Sequence, residues 1–285
     1  MNIHAQAVVS PHATLGHDIT IGPFCVVEED VSIGDHCTLA SRAVVKNGTT
    51  LGSHNVICEG AVIGGPPQHT KNSDRLGRVE IGSTNVIREN VTIHRALQEG
   101  SVTKVGDHNL LMVGSHIAHD CTVGNNIILA NNVLLGGFVT VGDRAFLAGA
   151  VAVHQFCRIG RLVMLGGCAR VVQDVPPFVT IDGQSGMVVG LNLVGLRRSG
   201  FATAEIAQLK NAYRLIYRRG LRWVEVLEQL KAEFSTGPAA DFHPFFSQGT
   251  RGFVQERRTP PKATLKLRRV TDDDNDGQQV RAKAG

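Results

Sequence analysis

The sequence predicts a mainly β fold in which short strands joined by tight corners repeat along the chain, followed by a small α-helical C-terminal domain. An aliphatic residue recurs at every sixth position between residues 3 and 171, and helical spacing replaces this period after Pro176 and Pro177. Glycine is abundant, with 32 residues, beside only 11 Phe, 2 Tyr and 1 Trp. Because aromatic side chains normally fill wide cores, we expect a narrow core lined by small aliphatic residues.

The six-residue period is the strongest signal in the chain. Ile, Leu or Val occupies 26 of the 29 positions spaced six apart from Ile3 to Val171, and the exceptions are His69, Arg75 and Glu99. These three residue types make up about a quarter of ordinary sequence, so chance cannot produce the run. The following residue is often glycine, and we interpret it as a corner that needs unusual backbone dihedral angles. These glycines are Gly16, Gly22, Gly34, Gly52, Gly82, Gly106, Gly124, Gly142 and Gly160.

The pattern resembles that of the hexapeptide-repeat acyltransferases over residues 3 to 182. In that family three hexads form one 18-residue coil of a left-handed parallel β-helix. The resemblance alone implies the handedness, which is opposite to the usual rule for crossovers between parallel strands. Four cysteines share the fifth place of the hexad, namely Cys25, Cys37, Cys121 and Cys157. We expect them to be small core residues inside the coils and not metal ligands.

Two interruptions of the period predict loops that project from corners of the coils, because a solenoid accommodates inserted residues in that way. The first covers Pro66 to Arg78 and contains the cationic residue Lys71, and the second covers Arg95 to Lys104.

The C-terminal part predicts two helices. Apolar residues follow helical spacing from Ile206 to Tyr217 and from Trp223 to Phe234, while Gly220 separates the helices and Gly237 ends the second. We therefore divide the chain into a repeat domain (1–182), a helical C-terminal domain (183–256) and a charged tail (257–285). The tail has almost no core residues, which predicts disorder.

Composition excludes several classes of protein. The net charge of +4 is mild, and few aromatic residues are present to stack on bases, so we expect no nucleic-acid partner. No apolar run is long enough to span a bilayer and no signal peptide is recognisable, which predicts a cytoplasmic protein. None of the six cysteines forms a Cys-x-x-Cys pair, and we expect neither a bound metal nor a cofactor.

The richest chemistry lies at Ser115 to Cys121. In an 18-residue coil His119 stacks below Gly137, and Gln155 lies one coil further on. Acyl transfer to a hydroxyl needs a base for the proton and a donor for the oxyanion. His119, oriented by Asp120, suits the first role, and the backbone N–H of Gly137 suits the second.

Seven motifs make the chain similar to the UDP-N-acetylglucosamine O-acyltransferase family, over residues 2 to 254. They are His-Ile-Ala-His-Asp-Cys-Thr-Val-Gly (116–124), Ile-Leu-Ala-Asn-Asn (128–132), Ala-Val-His-Gln-Phe-Cys (152–157), Gly-Gly-Cys (166–168), Gln-Asp-Val-Pro-Pro (173–177), Gly-Leu-Arg-Arg (195–198) and Asn-Ala-Tyr-Arg-Leu-Ile-Tyr-Arg (211–218). The resemblance implies transfer of a 3-hydroxyacyl group from acyl carrier protein to the 3-hydroxyl of UDP-N-acetylglucosamine, at the start of lipid A biosynthesis. It also implies a homotrimer with active sites between neighbouring prisms.

The same resemblance implies roles for individual residues. His119 is the general base, Asp120 supports it and the Gly137 N–H is the oxyanion donor. Gly167 sets the acyl-chain length, and other residues bind substrate: Gln68, His69, Lys71, His116, Phe138, His154, Gln155, Asn192 and Arg198. Basic residues near the helix junction and on the last coils, among them Arg158, Arg161, Arg170, Arg214, Arg218, Arg219 and Arg222, form a surface for the acidic carrier protein.

The chain departs from the family pattern at five positions, where His69, Phe138, Ser185, Val194 and Ser199 replace Asp, His, His, Glu and Arg. These departures concern substrate contacts and leave open a related UDP-amino sugar as the acceptor, which would give an amide. The N-acyltransferase of the same pathway is disfavoured because the hexads begin at Ile3, where we expect no room for its extra domain. Two weaker alternatives are a γ-carbonic-anhydrase-like zinc enzyme using His116, His119 and His154, and a non-catalytic β-helix.

Overall fold

The computed structural model describes residues 1–70 and 76–257, and in them the chain forms a three-sided prism of very short parallel strands. In chain order the strands are β1 Asn2–Ile3, β2 Val8–Val9, β3 Thr14–Leu15, β4 Thr20–Ile21, β5 Val26–Val27, β6 Val31–Ile33, β7 Thr38–Leu39, β8 Val44–Val45, β9 Thr49–Leu51, β10 Val56–Ile57, β11 Val62–Gly65, β12 Arg78–Ile81, β13 Val86–Ile87, β14 Thr92–His94, β15 Val102–Val105, β16 Leu110–Leu111, β17 His116–Ile117, β18 Thr122–Val123, β19 Ile128–Leu129, β20 Leu134–Leu135, β21 Thr140–Val141, β22 Phe146–Leu147, β23 Ala152–Val153, β24 Arg158–Ile159, β25 Met164–Leu165, β26 Arg170–Val171, β27 Val179–Ile181 and β28 Val188–Leu191.

Successive strands join three sheets in turn. Sheet A contains β1, β4 and every third strand to β25, then β27 and β28; sheet B contains β2 and every third strand to β26; sheet C contains β3 and every third strand to β24. His116 pairs with Leu134, Leu134 with Ala152 and Ala152 with Arg170, so neighbouring strands of sheet B are eighteen residues apart. The predicted 18-residue coil is confirmed.

The core is the column of periodic aliphatic residues, which point into the prism while the preceding strand residue points out. All four cysteines of the fifth hexad place are buried, as predicted. Cys121 is representative: its Sγ lies 3.1 Å from the Gly136 carbonyl oxygen, and burial raises the pKa of its thiol to about 12. Such a thiol is a space-filling group and not a nucleophile.

The reason we gave for the periodic glycines is wrong. None of them has a positive φ; that conformation belongs to the residue two places further on, such as His36 (φ 58°) after Gly34 and Arg144 (φ 57°) after Gly142. A Cβ on Gly34 would lie 2.7 Å from the carbonyl carbon of Gly52, and one on Gly142 would lie 2.6 Å from the nitrogen of Arg161. Glycine is therefore needed because the next coil passes too close for any side chain.

The two predicted loops interrupt the run of 18-residue coils. A buried row of hydrogen-bonded asparagine side chains, the asparagine ladder, joins the coils on either side of them. In sheet C, Thr50 pairs with Glu80 and Glu80 pairs with Lys104, so these neighbouring strands are more than eighteen residues apart in the sequence. The first loop leaves between β11 and β12 and the second between β14 and β15, while Lys71 lies outside the described residues.

In the asparagine ladder, the Asn85 side chain donates to Asn55 Oδ1, the Asn109 N–H donates to Asn85 Oδ1, and the Ile127 N–H donates to Asn109 Oδ1.

Replacing Asn85 with alanine should destabilise the fold, because it leaves the buried Asn109 N–H without its acceptor and removes one of the two donors to Asn55 Oδ1. A buried polar group that loses its partner costs about 1–3 kcal/mol in unfolding free energy. Denaturant unfolding at a fixed protein concentration measures this loss. The exposed Asn131→Ala is the matched control, and equal unfolding midpoints for the two variants would contradict the structural role of the ladder.

The C-terminal region packs on the end of the prism. Strand β28 turns back antiparallel to β27, and it is followed by α1 Leu193–Arg198, α2 Thr203–Arg218, α3 Trp223–Glu233, a 3₁₀ turn Pro238–Asp241 and α4 Phe242–Ser247. Helices α2 and α3 were predicted; the shorter α1 and α4 were not. A second core formed by Phe178, Leu196, Leu209, Phe242 and their neighbours joins the helices to the last coils. In the described part of the chain no helix is long and apolar enough to cross a membrane.

The predicted tail lies outside the described residues except for its first residue. Arg257 forms an ion pair of 3.1 Å with Asp182.

Candidate active site

The centre of the site is an ion-paired histidine at the corner between sheets B and C. His119 Nδ1 lies 2.8 Å from Asp120 Oδ2, and both side chains are almost fully buried. Because an ionised carboxylate only accepts hydrogen bonds, the hydrogen-bond pattern assigns the ring proton to Nδ1 and leaves a lone pair on Nε2. Within the described residues Nε2 has no hydrogen-bond partner. The dyad thus presents an imidazole whose Nε2 is available to accept a proton from a ligand.

The second loop holds Asp120 in place. Its carboxylate accepts the Leu97 N–H at 3.0 Å, and its own N–H donates to the hydroxyl of the fully buried Thr103 at 2.8 Å. The positive φ of Asp120 turns the carboxylate back onto the preceding histidine. These contacts restrict His119 to one tautomer and one ring orientation.

Gly137 lies directly against the His119 ring, as the 18-residue stacking predicted. A Cβ at residue 137 would be 2.6 Å from Cε1 and 2.8 Å from Nε2 of His119. In the described part of the protein the Gly137 N–H has no acceptor. A proton acceptor and an unused backbone donor are therefore neighbours, which is the pair of groups that acyl transfer requires.

Aromatic rings surround this pair and limit access of water. The rings of His69 and Phe138 meet the His119 ring edge-on, at 5.7 and 5.4 Å between centroids. Phe156 stacks on Phe138 at 4.8 Å, one coil further along. His119 itself is only 6% exposed. Exclusion of water strengthens electrostatic interactions within the site.

An open cavity of about 590 Å³ extends from this corner along the outer face of sheet B. Its floor is apolar in the middle, with Leu134 and Ala152, and polar at the ends. It is lined by Gln68, His116, Leu134, Leu135, Gly136, Ala152, Val153, His154, Arg170, Val171 and Val172. Three predicted substrate-binding residues, Gln68, His116 and His154, are thereby brought together on one surface.

His116 is neutral at physiological pH. Burial lowers its pKa to about 4, with smaller contributions from His94 and His119. Its Nδ1 shares a hydrogen bond of 2.8 Å with the Thr92 hydroxyl. His116 is therefore suited to a neutral hydrogen bond with a ligand and not to binding an anion as a cation.

Other predicted residues lie further from the dyad. Gln155 is exposed at the corner above Gly137, and Gly167 occupies the opposite edge of sheet B, where a Cβ would meet only the Gly149 carbonyl oxygen at 3.5 Å. Asn192 caps α1, since its Oδ1 accepts the Gly195 N–H and its Nδ2 donates to the Leu162 carbonyl. Arg198 is exposed in the last turn of α1. The structure does not bring these last two residues to the cavity on sheet B.

The five departures from the family pattern separate into two groups. His69 and Phe138 both touch the His119 ring. The other three lie around α1: Ser185 donates twice to Asp182, Val194 is 57% exposed, and Ser199 caps the helix. Only the first group therefore borders the His119 imidazole.

Sequence reasoning missed Thr103, Phe156 and Arg251 as parts of the site. Phe156 could have been found, because it follows Phe138 by eighteen residues. Thr103 lies in the broken part of the repeat and Arg251 beyond it, where the 18-residue rule gives no position.

Metal coordination by His116, His119 and His154 gains no support from the geometry of one chain. In residues 1–70 and 76–257, the side chains that lie close enough together to share a metal ion are those of Cys58, Glu59 and Glu89, at a different corner of the prism.

Comparisons with known proteins match both the coils and the helical region of the chain. Residues 174–254 match the family described as UDP N-acetylglucosamine O-acyltransferase, domain 2, and residues 12–47 and 103–137 match the bacterial transferase hexapeptide repeats. The acyl-[acyl-carrier-protein]–UDP-N-acetylglucosamine O-acyltransferase of Gloeothece citriformis is 43% identical over 198 residues, which cover 70% of this chain and 71% of the relative.

Two solved structures are similar over nearly the whole chain. The UDP-N-acetylglucosamine acyltransferase of Bacteroides fragilis has a TM-score of 0.86 at 37% identity, covering 89% of this chain and all (100%) of that one. The corresponding protein of Acinetobacter baumannii has a TM-score of 0.85 at 39% identity, covering 89% and 99%. These similarities confirm the predicted left-handed parallel β-helix with a small helical C-terminal region.

Proposed function

Because this chain belongs to the UDP-N-acetylglucosamine O-acyltransferase family, we propose that it transfers an (R)-3-hydroxyacyl group from acyl carrier protein to the 3-hydroxyl of UDP-N-acetylglucosamine, in lipid A biosynthesis. The observation that supports the proposal is the His119–Asp120 dyad, whose ring packs against Gly137, a residue with an unpaired N–H in the described part of the chain. The proposal includes a cytoplasmic location, since both proposed substrates are soluble compounds of that compartment.

The proposed reaction is a direct transfer. His119 Nε2 removes the proton of the sugar hydroxyl as its oxygen attacks the thioester carbonyl, and the Gly137 N–H donates to the oxyanion of the tetrahedral intermediate. Collapse breaks the C–S bond, and the departing thiolate of the carrier receives the proton from His119. Asp120 stabilises the imidazolium between these two steps.

A covalent acyl-enzyme has no support. Burial raises the pKa of the thiols of Cys121 and Cys157, so neither is a ready nucleophile at neutral pH. A thioester is already activated, which removes the need for such an intermediate.

The assembly that we propose is a homotrimer with one site between each pair of prisms. The cavity on sheet B is open on its outer side and bordered by exposed Leu134, Phe138 and Phe156, which are 49%, 39% and 47% exposed. A neighbouring prism would cover these apolar groups and close the cavity. Analytical ultracentrifugation tests the trimer directly, and a monomeric active enzyme would contradict it.

The acceptor is the part of the proposal most affected by the departures. Phe138 has no hydrogen-bonding group where a histidine would have one, whereas His69 supplies a donor in place of a carboxylate acceptor. Loss of one such contact is worth about 0.5–1.5 kcal/mol, which changes affinity up to roughly tenfold and does not by itself redirect an enzyme. The 3-amino analogue of UDP-N-acetylglucosamine is the competing acceptor.

The decisive experiment offers both acceptors in equal amounts, together with a panel of 3-hydroxyacyl carrier proteins, and identifies products by mass. We expect the ester of UDP-N-acetylglucosamine. Exclusive formation of the amide would show that the acceptor is the amino sugar, and the absence of any product would contradict the acyltransferase assignment.

Replacing Gly167 with methionine should shift the preferred donor to a shorter acyl chain. The space beside Gly167 is open, because a Cβ would make only one ordinary contact, at 3.5 Å. A long side chain there would occupy part of the proposed acyl groove, so that two or three methylene groups of a long acyl chain could no longer bind. The kcat/KM for long donors divided by that for short donors should therefore fall about tenfold or more. Competition among donors of different length, read by product mass, measures this ratio. An unchanged ratio would place the acyl chain elsewhere.

A further inference from the structure

Two arginines without carboxylate partners lie near the far end of the cavity on sheet B: Arg170 lines the cavity, and Arg251 contacts two of its other lining residues, His154 and Val172. Arg170 lines the cavity from β26, is exposed, and has no side-chain hydrogen bond or ion pair among the described residues. Arg251 comes from the segment after α4 and places one terminal nitrogen 3.3 Å from His154 Nδ1 and 3.4 Å from the Val172 carbonyl oxygen. Its Nε is shielded from solvent and has no acceptor.

In the described part of the chain, Arg144, Arg197, Arg198 and Arg214 also lack a carboxylate partner, but none of them lines this cavity. Six other arginines of the last coils and the helical region are neutralised, in the pairs Arg158–Asp174, Arg161–Asp241, Arg218–Glu256, Arg219–Glu233, Arg222–Glu225 and Arg257–Asp182. Several of these belong to the basic surface that we predicted for the carrier protein, and their pairing reduces its positive charge. Arg170 and Arg251 keep their positive charge, and they lie beside His154 and the apolar floor of the cavity.

Such an arrangement selects an anion with several acceptor oxygens. Guanidinium groups are planar donors that match the oxygens of phosphate, and the exposed Arg170 side chain is accessible to such a ligand. An apolar floor beside the charges weakens competition by water. We propose that Arg170, Arg251 and His154 form a subsite for a phosphate group of one of the substrates, an inference that rests on the proposed function.

The position of the subsite bears on which phosphate it holds. Strands β17 and β26 are three steps apart in sheet B, so Arg170 lies about 14 Å from His116 along the sheet, at 4.7–4.9 Å per step. The phosphodiester of a phosphopantetheine arm is fourteen bonds from the thioester carbonyl, about 16 Å when extended, at the spacing of an extended chain. The first phosphate of the acceptor is five bonds from the 3-hydroxyl oxygen, about 6 Å on the same basis.

These lengths favour the phosphodiester of the acyl donor. Gly167, the proposed determinant of chain length, lies at the other edge of sheet B and does not line this cavity, so the arm and the acyl chain have separate surfaces.

The test compares ligands that differ only in phosphate. The donor pair is a 3-hydroxyacyl phosphopantetheine and the same compound without its phosphate; the acceptor pair is UDP and uridine. Binding of each to the full-length protein is measured by calorimetry, which does not depend on turnover. The variants are Arg170→Gln and Arg251→Gln, and the exposed Arg144→Gln, at another corner of the prism, is the matched control for loss of one charge.

We expect the wild-type preference for the phosphorylated donor to fall about tenfold to a hundredfold in Arg170→Gln, the range for losing a hydrogen bond to a charged group. Arg251→Gln should behave alike, Arg170→Lys should retain part of the preference, and Arg144→Gln should keep all of it. A selective loss of the preference for UDP would assign the subsite to the acceptor's diphosphate.

No change in either preference, relative to Arg144→Gln, would overturn the subsite. Because exposed Arg170 is not part of the core, its variants decide the question even if Arg251→Gln does not fold. A protein that binds phosphate as expected but forms no acylated product would refute the proposed function and leave the subsite in place.

Discussion

Replacement of His119 with alanine should lower kcat by about 10²–10⁴-fold, the range expected when a general base is removed. The side chain is the proton acceptor in the proposed reaction, and its Nε2 is free while Nδ1 is held by Asp120. Steady-state kinetics with saturating acyl carrier protein and UDP-N-acetylglucosamine measure the effect. Circular dichroism and thermal unfolding show whether the prism is intact, which we expect because His119 lies at a corner and outside the aliphatic core.

Two variants make this test specific. Asp120→Ala should lose less activity than His119→Ala, because Asp120 orients the base without transferring the proton. His36→Ala removes an exposed histidine near the opposite end of the prism and should leave kcat unchanged. Near-normal turnover by His119→Ala would eliminate the proposed mechanism.

Gly137→Ala should be almost as damaging, with a loss in kcat of about 10²–10³-fold, comparable to removal of an oxyanion donor. The added methyl group would lie 2.6 Å from Cε1 and 2.8 Å from Nε2 of His119, so the ring must move. Movement is restricted, because Asp120 holds one side of the ring and His69 and Phe138 border the others. One methyl group thus displaces the base and crowds the N–H that faces the oxyanion.

Gly149→Ala is a matched control for this second variant. Gly149 is also a corner residue without a positive φ, but the nearest atom to its added Cβ is the Asn131 carbonyl oxygen at an ordinary 3.6 Å. We expect Gly149→Ala to retain wild-type kcat and stability. Equal activities for the two variants would mean that the contact between residue 137 and His119 has no catalytic importance.

The site was predictable wherever the repeat is unbroken. In that part of the chain a residue and the one eighteen positions later are neighbours, so stacking of Gly137 on His119 follows from counting alone. The same rule places Phe156 on Phe138, although we did not use it. It fails for Leu97 and Thr103, which hold Asp120, because the second loop shifts the register between β14 and β17 to twenty-four residues.

The periodic glycines show a different limit of sequence reasoning. Glycine at a corner predicts either a positive φ or a close approach, and the sequence does not distinguish between them. Only the coordinates show that the next coil passes within about 3 Å of the missing side chain and that residues such as Asp120 and Phe138 take the positive φ.

The sequence by itself therefore determined the coil, its core, the two long helices and the stacked pair His119–Gly137, because each depends on short-range periodicity. Tertiary structure decided which of many arginines keep an unneutralised charge. Arg158 and Arg170 occupy the same place in the repeat, two hexads apart, and look alike in the sequence. Arg158 pairs with Asp174 and donates to the Phe245 carbonyl, whereas Arg170 faces the cavity. The reason is physical: pairing between the prism and the helical region depends on how two cores pack against each other, and no period in the chain encodes that distance.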